Sequence, residues 1–162
     1  MARPSGVNSA AVIREFAAGD AEAVIALIRE LQAHELPFNR HLKPAENIGP
    51  WYVERILADC EKFDGVVLMA MAGGHPAGCA VLVAAMVETG EQEELPHTYA
   101  VISELVVSAW ARGRGIGRAL LSECERRARN AGRDELRLGV LAANGGARRL
   151  YASAGYSEVK IR

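Results

Sequence analysis

Little in this chain is of the kind that staples a protein or tethers it. Its three cysteines, Cys60, Cys79 and Cys124, lie far apart, and an odd number cannot all pair within one chain. No Cys-x-x-Cys pair or Cys/His ligand spacing is present, which argues against the common structural zinc sites. Reduced thiols and no metal are therefore expected. The longest apolar runs, 65–72 and 79–87, fall far short of the roughly 20 residues that span a bilayer. The first ten residues lack the apolar core of a secretory leader. These features predict a soluble, cytoplasmic protein with no membrane partner. An excess of one charge is missing too: 19 Lys+Arg face 20 Asp+Glu, for a formal net charge of −1. A general nucleic-acid binder carries a basic surplus, so no nucleic-acid partner is expected. No internal repeat or low-complexity linker interrupts the chain.

What is present suits one globular domain. The chain has 162 residues, 50 % of them hydrophobic and 24 % charged. A chain of this length buries about 70 % of the surface it would expose unfolded, so its core needs no disulfide or metal. Residues 1–10 read as a loose tail and 11–162 as a single domain.

Residues 11–16 are β-rich and form a first strand. Asp20 follows Gly19 and is placed to cap a helix. Val24, Leu27, Ile28 and Leu31 then recur at helical spacing, giving an amphipathic helix over 21–35 that Pro37 stops. A second helix covers 45–62, with Ile48, Tyr52, Ile56 and Cys60 on one stripe. Pro50 either makes its first turn irregular or marks its start. Strands over 66–72 and 77–87 flank a turn at 73–76 and read as a hairpin. A polar loop, 88–97, leads to a strand over 99–108. Apolar residues on both its faces place that strand centrally in a sheet. A helix over 115–131 buries Ile116, Leu120, Leu121, Cys124 and Ala128 and ends at Gly132. A strand over 135–141, a short helix over 145–154 and a strand over 156–161 close the chain. The order β-α-α-β-β-β-α-β-α-β is that of an α/β fold, a mixed sheet with helices on its faces.

The most informative stretch runs from Leu105 to Leu121. A buried strand enters a turn containing Gly113, Gly115 and Gly117, and the turn opens a helix. Glycine permits positive φ and close approach of a ligand to the backbone. The first amides of a helix have no internal partner and carry the positive end of its dipole. Together these make an anion site, suited to phosphate or pyrophosphate. Arg112, Arg114 and Arg118 add positive charge. A Walker loop requires Gly-Lys-Ser/Thr, which does not follow Gly117, and the dinucleotide fingerprint requires glycine where Arg118 stands. On this stretch alone, a tight turn with solvated arginines is an equal alternative.

A second segment removes that balance. Arg112-x-x-Gly115-x-Gly117 resembles the acyl-CoA pyrophosphate motif of GNAT-type N-acetyltransferases. Asn144-x-x-Ala147-x-x-Leu150-Tyr151-x-x-x-Gly155-Tyr156 resembles their second motif, which usually ends in Gly-Phe. The two occur in the family's order with the strand 135–141 between them. The motif-grade likeness covers about 98–156.

The resemblance implies a mixed, mostly antiparallel sheet of six to seven strands, splayed at 99–108 and 135–141. Acetyl-CoA would be the acyl donor, with no metal. Its pantetheine arm would lie in the splay against the main chain of Leu105, Val106 and Val107. Its pyrophosphate would rest on Arg112, Gly113, Arg114, Gly115, Ile116, Gly117 and Arg118. Asn144 would face the pantetheine, cap the helix 145–154, or do both. Tyr151 would protonate the leaving thiolate or position the cofactor. Glu104 would take the amine proton, directly or through water, or serve a structural role. His34 and Glu35, at the end of the first helix, are candidates for the acceptor mouth or else surface residues. The implied reaction is attack of a primary amine, on a small molecule or a peptide, on acetyl-CoA in a ternary complex. The alternative is a non-catalytic acyl-CoA-binding regulatory module.

Two expectations concern the outer surface. A short final strand and a long apolar strand over 77–87 leave edges to cover, which predicts a homodimer. The loop 87–95 holds four acids and no base. It would attract a cationic acceptor, provided it folds over the mouth of the site.

Overall fold

The computed structural model of the chain describes residues 11–140 and 144–158. Five strands are present among them: β1 (Val12–Glu15), β2 (Gly65–Ala72), β3 (His75–Glu88), β4 (His97–Val107) and β5 (Leu136–Leu138). They form one sheet in the order β1-β2-β3-β4-β5. Neighbours are antiparallel except β4 and β5, which run parallel. The sheet is thus mixed and mostly antiparallel, as expected, with five strands among the described residues where six to seven were expected. Of the anticipated final strand, residues 156–158 are not extended into the sheet, and 159–162 lie outside the described residues.

Helices cover both faces. α1 (Ala21–Glu35) and α2 (Pro50–Lys62) pack on one side, α3 (Ile116–Asn130) on the other, and α4 (Gly145–Ser153) follows β5. One core joins Val24, Leu27 and Ile28 of α1 with Val53 and Ile56 of α2 and with Met69, Cys79, Val81 and Val106 of the sheet. The opposite core joins Ile116, Leu120, Leu121, Cys124 and Ala128 of α3 with Leu68, Ala80, Leu82, Ala100 and Ile102. Burial of the Val, Leu, Ile and Met side chains among these, each worth about 1.5–3 kcal/mol, fixes both layers. All three cysteines are free.

The second helix begins at Pro50, with Gly49 as its cap and proline in its first turn, where the missing N–H costs nothing. The 45–47 part of the expected helix is a separate 3₁₀ turn. Asp20 is the residue before α1, yet its side chain bonds no amide of that helix. Its carboxylate instead accepts from the Ala17 amide at 2.8 Å and from Arg14 at 2.7 and 2.9 Å.

β3 is the centre of the sheet, paired on both sides and buried from Ala77 to Ala84. Its length and apolar character come from that position, so they provide no edge for a second copy.

Candidate active site

β4 carries the site because it changes parity along its length. Val81 pairs with Glu104 but Leu82 pairs with Ile102, so Ser103 is an extra residue, a β-bulge. Before it, Ala100 and Ile102 point into the α3 core. After it, Val106 points into the α1–α2 core, and Leu105 and Val107 pack toward α3. The bulge therefore aims Glu104 at α1 and α2.

The same switch turns the main chain. The Ala100 amide donates to Glu135 C=O at 3.0 Å, on the β5 side, whereas the Ser108 amide donates to Ala77 C=O at 2.8 Å, on the β3 side. Alternation then directs the peptide groups of Leu105 and Val107 away from β3 and those of Val106 toward it. Pairing with β5 covers only Ala100–Leu136, Val101–Arg137 and Ile102–Leu138. Ladder pairing with β5 ends at Ile102, so among the described residues no strand bonds the outer main chain of Leu105 and Val107, and a gap in the pairing opens there. The Val107 carbonyl accepts Arg112 Nε at 3.2 Å there.

The glycine turn follows. Gly113 and Gly115 have φ of 76° and 77°, left-handed conformations that favour glycine. No described atom stands within 4 Å of where a Cβ on either would sit. Gly115 caps α3 without a side-chain bond, and the helix's first internal bond runs from the Ala119 amide to Gly115 C=O. The amides of Ile116, Gly117 and Arg118 precede it, at the positive end of the dipole. Arg114 leaves its Nη2 buried with no hydrogen-bond partner, beside the Trp110 ring at 5.9 Å. An open left-handed turn, uncapped amides and an unpartnered guanidinium nitrogen suit a bound anion.

Other members of this segment do something else. A Cβ on Gly117 would meet Leu150 at 3.2 Å and Val107 at 3.6 Å, so its missing side chain lets α3 approach β4 and α4. Arg118 donates to Ser153 Oγ at 2.7 Å, tying α3 to α4. Asn144 caps α4, its Oδ1 accepting the Ala147 amide at 3.2 Å.

Four polar side chains converge where the gap meets α1 and α2. Glu104 is half-buried and accepts a short hydrogen bond from the Tyr52 hydroxyl. Burial raises its proton affinity most; the Tyr52 bond opposes that, Glu35 adds to it, and Arg55 opposes it. Glu35, on the last turn of α1, is half-buried, and its carboxylate makes no hydrogen bond or ion pair to a described residue. Burial raises its proton affinity too, offset by His34. Tyr151, on α4, packs against the α3 core. Burial first, and then the Glu35 charge, push its phenol up to about 12. It therefore keeps its proton at neutral pH, and its hydroxyl bonds no described residue. His34 is exposed, its ring meeting Phe38 edge-on at 6.0 Å.

Tyr52 appeared in the sequence only as part of a helix stripe, and Glu30 not at all. Glu30 accepts the Ser108 hydroxyl at 2.9 Å and the Ala109 amide at 2.6 Å, fixing the point where β4 leaves the sheet. A carboxylate in the middle of an amphipathic helix gives no sequence signal for a contact 78 positions away.

Comparison with known proteins agrees with this geometry. Residues 25–156 match the acetyltransferase (GNAT) family, and the chain belongs to that family. No curated protein matches it. Among solved structures, a tetramutant of the BH1408 protein of Bacillus halodurans shares the fold at a TM-score of 0.82 and 21 % identity, covering 93 % of this chain and 96 % of that one. A ribosomal-protein-alanine N-acetyltransferase from Brucella melitensis is similar at 0.69 and 26 %, over 92 % and 86 % of the two chains. An aminoglycoside acetyltransferase from an uncultured soil metagenomic sample is similar at 0.66 and 19 %, over 96 % and 94 %. Family membership assigns acyl transfer as the general chemistry.

Proposed function

We propose that the protein transfers the acetyl group of acetyl-CoA to a primary amine, by direct attack within a ternary complex. The observation that carries this reading is the gap beside Leu105 and Val107, ending in an anion-ready turn at one end and Glu104 at the other. An extended acyl-CoA has that shape: a pyrophosphate, a peptide-like arm and a thioester. The arm's amides would bond the peptide groups of Leu105 and Val107, with Arg112 leaving the Val107 carbonyl. The pyrophosphate would rest on Gly113, Gly115 and the first amides of α3, with Arg114 supplying its unpartnered nitrogen.

The chemistry follows from the residues at the other end. The amine nitrogen bonds to the thioester carbon and the carbon–sulfur bond breaks, giving an amide and coenzyme A. Glu104 accepts the amine proton, and its raised proton affinity suits a base working near neutral pH. Tyr151 donates its retained proton to the leaving sulfur and is reprotonated, through solvent, by the second proton the nitrogen loses, while Glu104 releases the first to solvent. Glu35, unpaired on α1, faces the incoming amine and favours it in cationic form before deprotonation. His34 and Glu35 would line the acceptor mouth.

The test combines acetyl-CoA binding with thiol release. Acetyl-CoA should raise the melting temperature, because it binds only the folded chain. An amine panel spanning aminoglycosides, polyamines, amino acids and peptide N-termini should release free thiol. Tyr151→Phe should slow turnover about 10²-fold, the lower end for acid–base catalysis, while leaving acetyl-CoA binding intact. Binding with no thiol release from any amine would favour the regulatory-module reading. No binding would overturn the cofactor site itself.

A further inference from the structure

We infer that Tyr52 is the positioning residue that holds the Glu104 carboxylate in place for proton transfer, and that Arg55 clamps Tyr52 in turn. This rests on the reading of Glu104 as the base. Two carboxylate oxygens on a rotatable side chain do not by themselves face an acceptor. The Tyr52 hydroxyl fixes one of them, Oε1, and leaves the other for the amine.

The support for Tyr52 is rigid. It lies one turn before Ile56, which is 4 % exposed and buried in the α1–α2 core. The Tyr52 amide itself bonds Gly49 C=O at 2.9 Å, in the first turn that Pro50 opens. The Arg55 guanidinium lies over its ring, 4.5 Å from the centroid, and Trp51 meets the ring edge-on at 5.4 Å. The helix, the cation and the neighbouring indole thus set where the hydroxyl points.

The groups facing Glu104 come from three elements: Tyr52 and Arg55 on α2, Glu35 on α1 and Cys79 on β3. Burial and Glu35 favour the neutral acid, while the Tyr52 bond and the Arg55 charge favour the carboxylate. The Cys79 thiol is pushed up to about 12, mainly by burial, so it brings no charge to the balance at neutral pH. The Tyr52 phenol is raised by burial and by Glu104, and it remains a donor throughout. Loss of that donor removes the largest of the groups that keep Glu104 ionised. A base must be ionised to act, so the acidic limb of the rate profile then moves to higher pH.

The experiment compares Tyr52→Phe, Glu104→Gln, the double variant and Arg55→Gln, all checked by thermal melting. Rates are followed across pH with a reactive amine, and the free protein is titrated by carboxyl carbon NMR, with Glu104 assigned from its Gln variant. For Tyr52→Phe we expect a several-fold loss of kcat, an unchanged KM for acetyl-CoA, and upward shifts of both the acidic limb and the Glu104 midpoint. Arg55 is exposed, so its Gln variant should fold and give a smaller shift in the same direction. Glu104→Gln should lose more activity than Tyr52→Phe, and the double variant no more than Glu104→Gln alone. If Glu104→Gln fails while Tyr52→Phe and Arg55→Gln leave limb and midpoint unmoved, Tyr52 does not position the base. If Glu104→Gln retains wild-type rate and profile, the base reading falls and this inference falls with it.

Discussion

Asp20 has the residue type and position of a helix cap, but a nearby guanidinium competes for its oxygens and wins. Arg14 on β1 approaches with both terminal nitrogens, and the bidentate pair outcompetes the amides of α1. The arginine bond, opposed by partial burial and helped by the Ala17 amide, lowers the Asp20 carboxyl to about 2. A lowered carboxyl stabilises the fold above its unfolded value, near 3.8, and that stabilisation is lost as pH falls toward 2. Asp20→Asn should therefore lower the melting temperature by a few degrees at pH 7, with the gap to wild type closing between pH 4 and 2. A gap that persists unchanged at pH 2 would assign the loss to packing instead. The general lesson at this scale concerns partners. The sequence names Asp20 as a hydrogen-bond acceptor, and only the fold says which donor reaches it. Glu104 shows the same limit. The family resemblance named it as a candidate base, but the Tyr52 hydroxyl, 52 positions away, is invisible to spacing.

Elements were legible wherever one periodicity dominated. α1 and α3 have single apolar stripes and fall where those stripes predict. The glycine turn was legible because left-handed backbone needs glycine, and Gly113 and Gly115 are left-handed. The bulge at Ser103 was not legible. Apolar residues on both faces of β4 mask its alternation, so a change of parity leaves no trace in the pattern. Yet that bulge aims Glu104 toward Tyr52, and it turns Val106 toward β3 while Leu105 and Val107 face the gap. The link from α1 to the end of β4 was equally hidden. Glu30 joins them through Ser108, which is 1 % exposed, and the Ala109 amide. Glu30→Ala leaves both donors without that acceptor, a cost of about 1–3 kcal/mol for each donor that stays unsatisfied. The consequence should reach beyond stability, because these bonds fix the end of β4, from which the chain runs into the glycine turn proposed to hold the anion. Acetyl-CoA affinity should fall in the variant while the Glu104 titration stays unchanged. Calorimetry of acetyl-CoA binding checks the first and NMR titration the second. Unaltered affinity in a destabilised variant would confine Glu30 to holding α1 on the sheet.

At the scale of the whole molecule, the question is whether charge at one end of the sheet can act at the other. β4 starts at His97 beside the acidic loop and ends at Val107, with Glu104 seven positions along it. At about 3.3 Å per residue, roughly 20 Å separates the hairpin end from Glu104. That is about twice the screening length of ~10 Å at 0.1 M salt. The base of the loop is also partly neutralised. Glu88 pairs with Arg137 at 2.5 Å, and Arg137 in turn pairs with Glu135 at 2.5 Å and lies over Tyr99 at 3.8 Å. On the proposed function, selection of a cationic amine would therefore fall to Glu35 and Glu104 rather than to Glu91, Glu93 and Glu94. Replacing those three by Gln should leave the KM ratio of cationic to neutral amines within about two-fold at 0.1 M salt, an energy of roughly 0.4 kcal/mol. Glu35→Gln should raise KM for cationic amines selectively and leave KM for acetyl-CoA unchanged. Steady-state kinetics with matched cationic and neutral acceptors, at low and high salt, separates the two. A selective, salt-sensitive KM rise in the triple variant would mean that the loop folds over the mouth and reads the acceptor itself.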